Sequence, residues 1–212
     1  MARKEAFVLW KKKAVLGIAL GAAIAFGMAE GEASPFVSEK VYQWVQSTSR
    51  ASYYFNKQQI KYGVDEDGFI DFNRLIVPVL KVYDSVQIED VVVKRRWKMM
   101  PLDGYDNLAG AAEYLDFNLA DKTVMVTMHN DLDAGWNSLN SEACDTCLKL
   151  EDFSEEDVDG KFYRAIVEYA SSHEDEVFSH TSGELKDEDK DKDKAKALKK
   201  ESDEPILKLN KN

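Results

Sequence analysis

The sequence is poor in the residues that mark several protein classes. Its 212 residues include 2 cysteines, 4 prolines and 11 glycines. Two cysteines are too few for a multi-disulfide scaffold or a four-cysteine zinc site. The low proline and glycine content excludes a collagen-like or wholly low-complexity chain. Because 44% of the residues are apolar, we expect a folded domain with a packed core.

Motifs of catalysis and nucleotide binding are also missing. The sequence has neither a Gly-x-Ser-x-Gly segment nor a glycine-rich nucleotide fingerprint. With 28 Lys and Arg against 39 Asp and Glu, the net charge is -11, which argues against nucleic acid as a partner. We therefore expect no nucleic-acid partner and no cofactor, and we favour a protein that works by binding over an enzyme.

Residues 1–33 form a zone of their own. A basic start is followed by residues 14–29, which carry no charge and consist mainly of small and a few large apolar residues. This run is short for a membrane span, and small-x-small sites follow it, as in an export signal. The alternatives are an uncleaved single-span anchor and an internal feature. The signal and the anchor both place the main domain beyond a membrane, in the periplasm, outside the cell or in another such compartment.

The remainder divides into a domain and a charged tail. Residues 182–212 contain 9 acidic and 9 basic side chains, and their central stretch has too few apolar residues to fold, so we predict a disordered tail. Residues 34–181 carry 27 acidic and 14 basic side chains. We predict that they form an acidic domain.

Apolar spacing within residues 34–181 predicts a helix-rich α+β domain. Periods near 3.6 indicate helices in residues 35–62, 71–83, 108–115, 139–150 and 154–169. Alternation predicts strands over 91–99 and 124–128. We therefore expect a small helical domain with an antiparallel sheet of two strands or somewhat more.

Cys144 and Cys147 are the first candidate site. Beyond a membrane, a Cys-x-x-Cys pair at a helix start favours a disulfide. The alternatives are a thiol-disulfide redox site and, together with His129, three ligands for a zinc ion.

His129, Asp131 and Asp133 are candidate metal ligands at the end of a predicted strand. Alternate residues of a strand share a face, so the three side chains could converge on a divalent ion. The alternative, which we favour, is a polar loop whose Asp side chains bond to the local backbone.

A dense basic run, with Lys94, Arg95, Arg96, Trp97 and Lys98, is the third candidate. It could bind an anionic lipid, a glycan or an acidic protein, with Trp97 as the anchor. The alternative, which we favour, is a strand with a solvated cationic face and an inward Trp97.

These observations favour an exported, non-catalytic binding or accessory component of a membrane-associated or envelope complex, with a protein as its partner. The first rival is an exported thiol-disulfide protein that uses Cys144 and Cys147. The second is a single-span subunit of a larger membrane complex, which would be held in the membrane by residues 14–29. The sequence does not specify an oligomeric state.

Overall fold

The structure, a computed structural model, describes residues 36–187. The predicted signal or anchor in residues 1–33 and most of the predicted tail lie outside the described residues. The strands and helices are β1 (Tyr42–Ser47), β2 (Ala51–Asn56), β3 (Lys61–Val64), β4 (Ile70–Tyr83), α1 (Ser85–Trp97), β5 (Leu108–Asn118), β6 (Thr123–Asp133), β7 (Ser138–Lys149), α2 (Val158–Ser172) and α3 (Glu174–Ser179).

All strands of the described chain belong to one antiparallel sheet. Its order is β1-β2-β4-β5-β6-β7, and β3 pairs with the first half of β4. Most consecutive strands are neighbours, and the strands β4 to β7 are long, from 11 to 14 residues. The prediction of a helix-rich domain with a short sheet is therefore wrong, whereas the broader α+β class is confirmed.

One face of the sheet carries the main hydrophobic core. Phe162 and Ile166 of α2 are fully buried against sheet residues such as Phe55, Leu115 and Phe117. The predicted last helix is confirmed as α2, and the side chain of Asp157 caps it by accepting from the backbone N–H groups of its first turn. Burying each large apolar side chain stabilises the fold by about 1.5–3 kcal/mol.

The core continues past the last long helix. Val177 of α3 is fully buried, and Leu185 packs against the same cluster. Glu184 forms an isolated parallel bridge with Phe69. Ordered chain therefore extends beyond residue 181, where we placed the start of the tail.

The opposite face, which we call the open face, is covered at one end. There Val37 and Trp136 pack on a small cluster formed by Leu80, Val82 and Leu132. The indole Nε1 of Trp136 donates a hydrogen bond to the carbonyl of Phe36 at 3.4 Å. α2 and α3 pack on the other side of the sheet, so the rest of this face is left to solvent.

Pro78 is tolerated within β4 by the topology. β2 pairs with β4 from Val79 onward, and β3 pairs with it up to Ile76. On this side, Pro78 lies opposite the turn that joins β2 to β3, where no partner strand continues. A proline is compatible with a strand at such a break, and the helix predicted over residues 71–83 is instead this strand.

Candidate functional site

Aromatic side chains continue along the open face from its covered end, where Tyr42 and Tyr54 pack on the small cluster. In register, Trp44 of β1 lies opposite Tyr54 of β2, and Tyr114 of β5 lies opposite Met128 of β6. Trp44 is 53% exposed and Tyr114 is 44% exposed. Tyr42 joins them, because it shares a strand face with Trp44 and packs with Tyr54 on the same small cluster. We call this set the aromatic platform: Tyr42, Trp44, Tyr54, Tyr114 and Met128.

A polar cleft of about 530 Å³ lies beside the platform. Its volume is in the range of pockets that bind small ligands. It is lined by Asp71, Asn73, Arg74, Asp116, Asn118, Ala120, Thr123, Met125 and Cys147. Asp116 follows Tyr114 by two residues on β5, so its side chain is on the same face. The cleft and the platform are therefore neighbours on the open face.

An ion pair fixes the geometry inside this cleft. The Nε of Arg74 lies 3.0 Å from both carboxylate oxygens of Asp116, and one Nη also donates to that carboxylate. The backbone N–H of Asn73 donates to Asp71 at 2.9 Å. Because a bidentate guanidinium and carboxylate hold each other in one plane, the cleft presents preformed polar groups.

A second group of polar side chains is buried on the helix-covered face. Lys81 Nζ lies 2.8 Å from Glu113 Oε2, and His129 Nδ1 lies 3.0 Å from Glu113 Oε1. The other imidazole nitrogen, Nε2, is 3.1 Å from Asp131. Asp131 in turn accepts a 2.6 Å hydrogen bond from the Tyr105 hydroxyl. Positive and negative groups thus alternate, and we call this series the ion-pair chain.

The charges of the ion-pair chain support each other. Hydrogen bonds to Asp131 and Glu113 raise the pKa of His129 to about 9. Burial alone would raise the pKa of Glu113, but His129 and Lys81 outweigh it and lower this pKa to about 2. His129 is therefore cationic at neutral pH and lacks the free lone pair that a metal ligand needs.

The structure brings together part of the predicted metal site. His129 and Asp131 are neighbours, but they bind each other as an ion pair. Asp133 accepts from the backbone N–H groups of Gly135 and Asn137 in the β6–β7 turn, as in the polar-loop alternative. Residues 36–187 contain no group of three or more His, Cys, Asp or Glu side chains placed to hold a metal ion.

The predicted disulfide is wrong in this structure. Cys144 and Cys147 are free thiols on β7, an extended strand, rather than at a helix start. Three residues of a strand span about 10 Å, whereas a disulfide needs Cα atoms within about 7 Å. Cys147 lies in the cleft of the open face and His129 on the opposite face, so the zinc trio is not assembled either.

The basic run occupies the end of α1 instead of a strand. Asp84 caps this helix by accepting from the Gln87 N–H, and Lys94, Arg96 and Lys98 are exposed. Trp97, expected inside, is 83% exposed. Arg95 alone turns inward: its Nη1 lies 3.6 Å from Asp131, and its guanidinium stacks on the Tyr105 ring at 4.1 Å.

Another cleft, of about 320 Å³, opens where the β1–β2 turn, α1 and α2 meet. Tyr53, Lys81, Tyr83 and Asp159 contribute to its wall. Burial raises the pKa of the Asp159 carboxyl, and Glu113 engages the Lys81 ammonium. This cleft therefore has both signs of charge, and its two cations are already paired with carboxylates.

Sequence reasoning missed the aromatic platform and the polar cleft. Tyr42, Trp44 and Tyr54 were assigned to a helix, and Tyr114 carried no motif. Each residue becomes part of a site through strand pairing between residues up to 44 positions apart in the sequence, which local spacing does not encode. The alternation of Tyr42 and Trp44 with Gln43 and Val45 was the available signal for a strand.

No protein-family model, curated protein or solved structure matches this chain. Among residues 36–187, no helix is long and apolar enough to cross a membrane.

Proposed function

We propose that the chain is an exported, non-catalytic binding module that holds a glycan on the open face of its sheet. In this role it serves as an accessory component of a membrane-associated or envelope assembly. The observation that carries the proposal is that the aromatic platform and the polar cleft lie side by side on one face. Export, and a protein partner in such an assembly, are predictions from the sequence.

The aromatic platform suits the apolar faces of sugar rings. Tyrosine and tryptophan combine a flat apolar ring with a polar group at its edge. A pyranose presents a similar combination, with C–H groups on its faces and hydroxyls around its rim. Trp44 and Tyr114 lie on different strands of the same face, so the platform offers more than one ring to an extended chain of sugars.

The polar cleft suits the hydroxyl groups of the same ligand. A hydroxyl both donates and accepts hydrogen bonds, and the cleft offers amides from Asn73 and Asn118 and carboxylates from Asp71 and Asp116. Its cation, Arg74, is already paired with Asp116. With two carboxylates against one paired cation, the cleft favours a neutral polyhydroxylated ligand over an anionic one.

The same geometry favours binding over hydrolysis. A glycosidase needs one carboxyl that stays protonated at neutral pH, usually against an apolar wall. In the cleft, Asp116 faces the guanidinium of Arg74 instead. Glu113 and His129, whose pKa values are the most strongly displaced of the acids and imidazoles, lie on the opposite face.

The rival thiol-disulfide function loses its geometric basis, because Cys144 and Cys147 lie along one extended strand. The single-span alternative concerns residues 14–29, outside the described residues. The binding proposal does not depend on whether that segment is cleaved.

Binding to a panel of soluble polysaccharides, measured by retardation in polysaccharide-containing gels and by titration calorimetry, tests the proposal. Tyr114→Ala should weaken binding to the retained polysaccharide by about 10-fold, as expected for loss of one stacking ring. Asn118→Ala should weaken it by a similar factor through lost hydrogen bonds.

Trp97→Ala is the matched control, since it removes an exposed aromatic ring from α1 and leaves the open face unchanged. We expect it to bind as the parent does. The proposal fails if no polysaccharide is retained, or if the control loses as much affinity as Tyr114→Ala.

A further inference from the structure

The end of α1 presents a second surface, unrelated to the open face. Trp97 is 83% exposed and Met99 is 92% exposed. Lys94, Arg96 and Lys98 surround them and are exposed as well, with no ion-pair partner among residues 36–187. We call these five residues the α1 tip.

The apolar character of the tip continues along the helix. Val86 and Val93 are exposed, and they precede Trp97 by eleven and four residues. Positions at these spacings share one side of an α-helix. Val93 therefore extends the apolar surface of the tip by one turn, whereas Glu89 and Asp90 lie between it and Val86.

The tip is held firmly from behind. Arg95 donates two hydrogen bonds to the carbonyl of Pro101, both at 3.1 Å. The N–H of Met99 bonds to the Arg96 carbonyl, and that of Met100 to the Arg95 carbonyl, as in a Schellman ending. The tip thus projects from an ordered helix end.

Met99 occupies a backbone conformation that favours glycine. Its φ is 54°, in the left-handed region where a side chain is strained. A glycine at this helix ending would relieve that strain. A large apolar side chain that is strained and almost fully exposed serves no purpose in the folding of the monomer.

We propose that the α1 tip docks the protein on an anionic lipid bilayer. Three exposed cations on a protein with a net charge of -11 are complementary to anionic headgroups. The acidic remainder is repelled by the same surface, so the molecule is oriented with its tip toward the lipid. Trp97 and Met99 then enter the interface between headgroups and acyl chains, where tryptophan is enriched.

The shape of the tip favours lipid over an acidic protein. Anchors at protein interfaces are desolvated within a surrounding ring of contacts, paired with complementary pockets. Here the apolar groups stand at the most exposed points and the cations lie beside them. This arrangement matches an anionic bilayer, in which apolar side chains insert between the acyl chains while cations remain at the negatively charged headgroups.

Flotation with vesicles provides the test. We would use the full-length chain with phosphatidylcholine vesicles that contain 30% phosphatidylglycerol and with pure phosphatidylcholine vesicles. Because residues 14–29 are apolar themselves, every variant keeps them. A triple reversal, Lys94→Glu, Arg96→Glu and Lys98→Glu, should weaken binding to the anionic vesicles by about 100-fold or more, from about 5-fold per cation lost.

The charge-matched control reverses three exposed lysines elsewhere, Lys40→Glu, Lys61→Glu and Lys149→Glu. It changes the net charge equally, and we expect a loss of less than about 5-fold. Equal binding by the two reversed proteins would overturn the proposal, as would equal binding of the parent to both kinds of vesicle.

Met99→Gly separates docking from folding. It should raise the melting temperature by relieving strain and lower vesicle affinity several-fold by removing an inserted side chain. Unchanged vesicle affinity would show that Met99 is not inserted and would contradict the proposed orientation.

Discussion

At the scale of single residues, the ion-pair chain explains how the sheet accommodates charge beside its core. Glu113 and Asp131 are both buried, and an unpaired buried carboxylate would cost several kcal/mol. His129 bridges the two acids, with Lys81 and Arg95 beyond them. Removing the central imidazole charge should therefore affect both carboxylates at once.

The first prediction follows from the protonation of His129. Its pKa is about 9 in the folded protein, against about 6.5 for an unperturbed histidine. The folded state therefore binds more protons between these values, so its stabilisation is complete below about pH 6.5 and is lost as the pH rises through 9. Chemical unfolding at pH 6, 7.5 and 9 should show a falling free energy of unfolding.

His129→Gln is the control for this prediction. Glutamine retains a polar group but does not titrate, so the variant should be less stable at pH 6 and nearly independent of pH across the window. Parallel pH profiles for the parent and the variant would contradict the assignment.

The second prediction concerns the two thiols. Cys147 is exposed and Cys144 is partly buried, and their positions on β7 prevent a bridge between them. Alkylation of the folded protein should modify both thiols, with Cys147 reacting first. Mass spectrometry after mild oxidation of the monomer should show no loss of two hydrogens, and an internal 144–147 bridge would contradict the extended conformation of β7.

At the scale of elements, the sequence predicts those segments whose pattern has one interpretation. α2 was found because Phe162 and Ile166 recur on one side of a helix that Asp157 caps. β6 was found because Val124 and Val126 alternate with Met125 and Thr127 in the sequence. Both elements bury one face, so their period survives in the sequence.

In the misassigned elements, the spacing of the apolar residues is compatible with both a helix and a strand. In β4, Leu75 and Val79 face the core while Leu80 and Val82 face the other cluster, so burial on both faces mimics helical spacing. In α1, the run Val91–Val93 favours a strand by β propensity. The Asp84 cap and the cations at the C-terminal end stabilise a helix instead.

The third prediction concerns Gly110, where β5 closely approaches the backbone of β4. A Cβ on Gly110 of β5 would lie 2.3 Å from the carbonyl oxygen of Lys81 on β4, so the strands would have to separate. We expect Gly110→Ala to lower the free energy of unfolding by about 1–3 kcal/mol, seen as a fall in melting temperature.

Gly135→Ala in the β6–β7 turn is the matched control. A Cβ there meets the ends of the Asn137 and Asp133 side chains at 2.9 and 3.3 Å, and these can move. A change below about 1 kcal/mol is expected. If both variants have the same melting temperature, the close contact between β4 and β5 does not require a glycine at position 110, and the prediction is wrong.

At the scale of the whole molecule, one sheet separates two kinds of surface. The open face carries aromatic rings and a polar cleft, whereas the α1 tip concentrates positive charge on an acidic protein. Arg95 connects the tip to Asp131 on the helix-covered face, opposite Tyr114. Composition alone predicted an acidic domain, but the placement of the residues in the two proposed sites depends on strand register and on the end of one helix.

The last prediction is that the two surfaces act independently. They share no residue, and changes without shared partners usually add in free energy. Tyr114→Ala should weaken polysaccharide binding and leave vesicle flotation unchanged, while the triple reversal at Lys94, Arg96 and Lys98 should do the reverse. The variant that combines these substitutions should lose both activities, each by the same factor as in the variant that carries only the corresponding change. Any loss of flotation in Tyr114→Ala would instead show that the open face contacts the membrane, because that substitution leaves every charge of the α1 tip in place.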